Sequence, residues 1–160
     1  MSMWADFFMA EVGASAALAG FVIVAISINL SRIVSYPWLP GRAAETLVAP
    51  TGVLIFSSYM LVPNQPVGQL ASELLATGAA MWLVPGIIQL RTFGRQKAVP
   101  RRSLMTRFML TQLSSVPVIV TGVLLLDGSA NAVAWLVPAV IASLIATVIN
   151  AWVLLVEIVR

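Results

Sequence analysis

Two carboxylates, Glu11 and Glu73, lie inside long apolar runs, each about 7 to 10 Å from the end of its run at ~1.5 Å per helical residue. A carboxylate in hydrocarbon must snorkel to water, take up a proton, share one with a second acid, or hold a cation. Asp6 and Asp127 fall nearer the surface on the same side, and no Lys or Arg accompanies these four acids. The expectation is therefore an outer cation or proton site built from Glu11, Glu73, Ser15 and Asn29 in a small oligomeric channel or transport component, the alternative being a non-transporting accessory or regulatory subunit that binds another membrane protein. Glu11 and Asn29 are eighteen residues apart, five helical turns, so they share a face, with Ser15 about 40° away. Polar residues at this spacing also join helices by hydrogen bonds. Between Ser15 and Asn29 the text is mostly Ala, Val and Ile, which interrupts any hydrophilic file.

Other chemistry is removed by what the chain lacks. With no Cys there is no disulfide, thiolate nucleophile or Cys-ligated metal, and with no His the familiar zinc and haem sites and the His-based triad go too. No Gly-rich phosphate loop occurs. No cofactor is expected, and the chain does not read as an enzyme.

The elements that must position the acids are long and apolar. Five segments, Trp4 to Leu30, Ala43 to Val62, Gly68 to Leu90, Leu104 to Leu126 and Ala130 to Val159, each approach or exceed the ~20 residues that cross hydrocarbon. A composition that is 60% hydrophobic and 9% charged leaves too little polar surface for a water-soluble globule. All nine basic residues fall in or beside alternate links or at the C-terminus, which places the N-terminus outside and the C-terminus inside. The expectation is one all-α, polytopic integral membrane domain over residues 1–160, with five transmembrane helices, in a cell membrane, a bacterial inner membrane above all. The net charge of +3 then marks topology at a lipid surface, and nucleic acid is not an expected partner.

Pro63, Asn64, Gln65 and Pro66 join segments two and three, and Asp127, Gly128 and Ser129 join four and five, so each pair reads as a helical hairpin. Pro50, Pro85, Pro117 and Pro138 place one proline in each of the last four segments, and hydroxyls at Thr46, Ser114 and Ser115 could answer carbonyls that proline releases. In segment one, Gly13, Ala16, Ala17 and Gly20 form a small-residue face. Such a face lets helix backbones approach closely, either within the monomer or at a contact with a second copy or another membrane protein. The inner basic loop, Arg91, Arg95, Lys97, Arg101, Arg102 and Arg107, is expected to meet anionic lipid head groups of the bilayer. Trp82, inside segment three, is expected to be packed.

Overall fold

A computed structural model describes residues 2–37, 39–95 and 101–157. Among them every regular element is helical. The helices are α1 (Ser2–Ile28), α2 (Leu30–Ser35), α3 (Leu39–Met60), α4 (Val67–Arg95), α5 (Arg101–Leu126) and α6 (Leu136–Trp152). A 3₁₀ turn, Ala132–Trp135, leads into α6, and a π-helical turn, Val153–Glu157, follows it.

Four helical stretches are long and apolar enough to cross a membrane: Trp4–Ile28, Val67–Arg91, Met105–Leu126 and Ala132–Leu155. The region expected as a second span forms α3, whose 22 residues extend ~33 Å. Its apolar character is diluted by Arg42 and Glu45, and by Thr46 and Ser57, which are buried with Glu45. The reason is its place in the bundle, for α3 packs against α1, α4 and α6 and its polar side chains face other helices.

Helices α3, α4, α5 and α6 close a ring, each packed on the next and α6 returning to α3; α1 lies outside it, across α3 and α6. The turns Leu61–Pro66 and Asp127–Asn131 mark one end of the bundle, the turn end, and the starts of α3 and α5 mark the other, the arginine end. Helix α5 stops in a Schellman arrangement: Ser129 N–H donates to Leu124 O (2.9 Å) and Gly128 N–H to Leu125 O (3.2 Å). Gly128 takes φ +74°, where a side chain would be strained. The α4–α5 approach is close because each helix offers a glycine to the other: a Cβ on Gly78 would stand 2.7 Å from Ile119 Cγ1, and one on Gly122 2.7 Å from Leu75 Cγ.

The main core fills the turn half of the ring with Phe8, Val53, Phe56, Met60, Leu70, Leu74, Val118, Leu136 and Val140. A smaller cluster of Ile33, Leu39, Ala43 and Leu154 closes the arginine end beside α1, with Ile26 against it. Helix α1 is not continuous with the text expected for its span. It ends at Ile28, and Asn29 starts the short α2 while its side-chain Nδ2 donates to Ala25 O (3.1 Å).

The proline expectation needs two corrections. Pro138 is the third residue of α6, in the first turn, where no intrahelical donor is lost. Thr46, Ser114 and Ser115 donate to the carbonyls of Arg42, Leu110 and Thr111, not to those of Thr46 and Leu113 that Pro50 and Pro117 release.

Candidate functional site

Three helices of the ring bring polar side chains together about 9 Å from the arginine end. Glu45 lies six residues into α3, Arg107 six residues into α5, and Gln89 six residues before the end of α4, so ~1.5 Å per residue puts all three at one depth. Arg107 Nη2 donates to Glu45 Oε2 in an ion pair whose side chains are only 9% and 8% exposed. Gln89 Nε2 donates to the other oxygen, Oε1. It also approaches Thr111 Oγ1 at 3.4 Å, and the Thr111 hydroxyl donates to Arg107 O at 3.0 Å. Arg42, one turn before Glu45, stands close enough to Arg107 for the like charges to repel.

A cavity of about 30 Å³ adjoins the pair, lined by Glu45, Arg107, Thr111, Ser114, Ala146 and Asn150. That volume suits about one or two water molecules rather than a substrate. Both oxygens of Glu45 accept hydrogen bonds, one of them from a guanidinium, so neither is left free to act as a base or nucleophile. Its evident effect is mechanical. One carboxylate ties α3 to α4 and α5, and a buried pair of this kind is costly to break from one side.

Arg107 is therefore placed differently from the lipid-contact loop expected for it: it points into the bundle, because Glu45 on α3 offers it a carboxylate at equal depth. Arg91 is exposed at the arginine end. For Arg95, Arg101 and Arg102 only the helical backbone is described, and Lys97 lies outside the described residues, as does Trp38.

The acids expected to share an outer site are kept apart. Glu73 accepts hydrogen bonds from Gln65 and from Gln69 (3.0 Å), all on α4 or the turn before it. Glu11 sits on α1, which packs on α3 and α6, whereas α4 packs on α3 and α5. Its Oε2 is buried and has no hydrogen-bond partner among the described residues. Ser15 is fully buried and donates to Glu11 O (2.6 Å), while Asn29 spends its amide on its own helix near the opposite end.

Gly13, Ala16, Ala17 and Gly20 are all exposed, and among the described residues a Cβ on either glycine would meet nothing within 4 Å, so this face is not seated on the described part of the bundle. Helix α1 seats its other side, Phe8, Ser15, Val22 and Ala25. Trp82 also departs from expectation. It is 44% exposed, and its Nε1 donates to Gln112 Oε1 (2.8 Å), linking α4 and α5 from outside.

The signal that identifies the Glu45–Arg107 pair in the sequence is equal depth. Opposite charges six residues into two helices that enter from the same side can meet; sorting the bases by link alone hides this. Compared with known protein families, curated proteins and solved structures, the chain matches none, so the reading of its function rests on its own geometry.

Proposed function

We propose that this chain is a five-span protein of a cell membrane, in a bacterium the inner membrane, with its N-terminus outside, and that it serves as a non-transporting accessory subunit. It binds another membrane helix, from a second copy or a different protein, through the free face of α1. The observation that carries this reading is the exposure of Gly13, Ala16, Ala17 and Gly20 along one side of α1 while the opposite side is seated on the bundle. Small residues at this spacing allow the close backbone approach by which helices associate in lipid. Counting α3 as a span follows from its length and its position in the ring, where Glu45, Thr46 and Ser57 are buried against neighbours. Charge placement supports the orientation.

A cation or proton channel within one chain fits less well. Val53, Phe56, Leu74, Val118 and Val140, each no more than 1% exposed, fill the interior between the turn end and the ion pair.

The chain has no cysteine, so single-Cys variants report without background. Ala16→Cys and Gly20→Cys should form cross-linked adducts in native membranes with a short bis-maleimide, while Val22→Cys, on the seated side, should not. Purified parent protein in liposomes should pass no cations or protons above the lipid background. Cation flux from the parent, with no adduct at positions 16 and 20, would replace the accessory reading by the transport reading.

A further inference from the structure

Among the described residues, three buried polar atoms on α1, α3 and α6, helices that pack on one another, have no hydrogen-bond partner: Glu11 Oε2, Ser57 Oγ and Ser143 Oγ. The two hydroxyls stand out because six other buried hydroxyls in this bundle, those of Ser15, Thr46, Ser114, Ser115, Thr121 and Thr147, each donate to a carbonyl of their own helix. Ser57 and Ser143 are fully buried yet make no such bond.

The packing register brings the three atoms to one place. Phe8 shares a core cluster with Met60 and Leu136. Ile26, eighteen residues further along α1, packs with Ala43, seventeen residues earlier on α3, and with Leu154, eighteen residues later than Leu136. Helix α1 therefore runs antiparallel to α3 and parallel to α6. Three residues on from Phe8, Glu11 comes level with Ser57 and with the small side chain of Ala139. One turn deeper, Ser15 comes level with Val53 and Ser143. Two adjacent layers of a three-helix junction thus hold one carboxylate and three serines, and the hydroxyl proton of Ser15 is already committed to carbonyls of its own helix, Glu11 O (2.6 Å) and Val12 O (3.2 Å).

We infer that Glu11, Ser15, Ser57 and Ser143 bind a monovalent alkali cation at the α1–α3–α6 junction. A bound cation would balance the Glu11 charge, for which no basic side chain stands at this level of the bundle. No Lys or Arg occurs from residue 1 to 31, from 43 to 90, or from 108 to 159, and the ion pair of Glu45 and Arg107 lies toward the other end. Hard oxygen donors, one charged and the rest neutral, suit a singly charged ion. A divalent ion is held by more carboxylates, and among the described residues no group of three or more acidic, His or Cys side chains could hold a metal ion. The site retains Glu11 and Ser15 of the set expected from sequence and replaces Glu73 and Asn29, which are engaged elsewhere. Its role is to seat α1 on the ring, since the ligands come from all three helices of the junction.

The full chain in nanodiscs should be melted in choline chloride, then with choline replaced stepwise by lithium, sodium or potassium at constant ionic strength. One alkali ion should raise Tm saturably, by about 3 to 6 °C at tenfold its half-saturating concentration. Glu11→Gln should abolish the rise, Ser57→Ala and Ser143→Ala should each raise the half-saturating concentration severalfold, and Glu73→Gln should leave it unchanged. Identical melting of the parent in choline and in all three alkali salts would mean that water or a proton satisfies these groups, and would overturn the inference. Survival of the shift in Glu11→Gln would do the same. Should that variant fail to fold, unchanged half-saturation in both serine variants decides against the site.

Discussion

Replacing Arg107 by Met tests whether the Glu45 clamp holds the arginine end together. Met keeps an unbranched apolar stem but removes the guanidinium that meets Glu45 Oε2, in a place where the Glu45 side chain is 8% exposed. Breaking a buried pair from one side typically costs ~3 to 5 kcal/mol, most of it the cost of an uncompensated buried charge. For a chain of this size ~1 kcal/mol moves Tm by about 2 to 4 °C, so Arg107→Met should lower Tm by roughly 6 to 20 °C. Adding Glu45→Gln removes the stranded charge and lets two amides face each other. The double variant should therefore be more stable than Arg107→Met alone, and the two changes should be non-additive by at least ~1 kcal/mol in a double-mutant cycle. Thermal and denaturant unfolding in one detergent, with helical circular dichroism as the probe, measures all four corners. A Tm for Arg107→Met within 1 °C of the parent, or strict additivity in the double variant, would refute the clamp.

Gly122→Ala should destabilise the fold by about 1 to 3 kcal/mol, because its Cβ would meet both Leu75 and the backbone carbonyl of Ala71, and the shift is read as Tm in detergent. Gly20→Leu should leave the Tm of the monomer unchanged, since nothing lies within 4 Å of that position, while reducing cross-linked or co-purified assembly on native gels. Reporter fusions after Asn64 and Ser129 should read as external and one after Lys97 as internal; the reverse pattern would invert the proposed orientation.

Much of the helical frame was legible because apolar length and turn residues are local signals. The breaks at Pro63–Pro66 and Asp127–Ser129 fall where α3 and α5 give way to turns, and four of the expected segments contain helices apolar enough to cross a membrane. Partner choice was not legible, since it depends on which helices become neighbours. Glu11 and Glu73 resemble each other in depth, yet α3 and the ring order assign them to different neighbours. Helical spacing puts Gly13, Ala16, Ala17 and Gly20 on one side of a helix, but spacing alone does not say whether a face turns inward or outward. Asn29 shows a further limit: five ideal turns align it with Glu11, while its amide returns to the Ala25 carbonyl at the α1–α2 break.

The ion pair also sets a timetable for biogenesis on the five-span reading. Glu45 and Arg107 are 62 residues apart in the chain, so at about 5 to 20 residues per second the ribosome makes the acid roughly 3 to 12 s before its base. During that interval α3, which is not among the four stretches apolar enough to cross a membrane on their own, must rest at the insertion machinery or against α1 with its carboxylate not yet paired to Arg107. Helix α4 arrives first and brings Gln89, a neutral donor that can hold Glu45 until α5 enters. Moving the arginine earlier or later in the chain would then alter insertion yield even where the finished protein is equally stable.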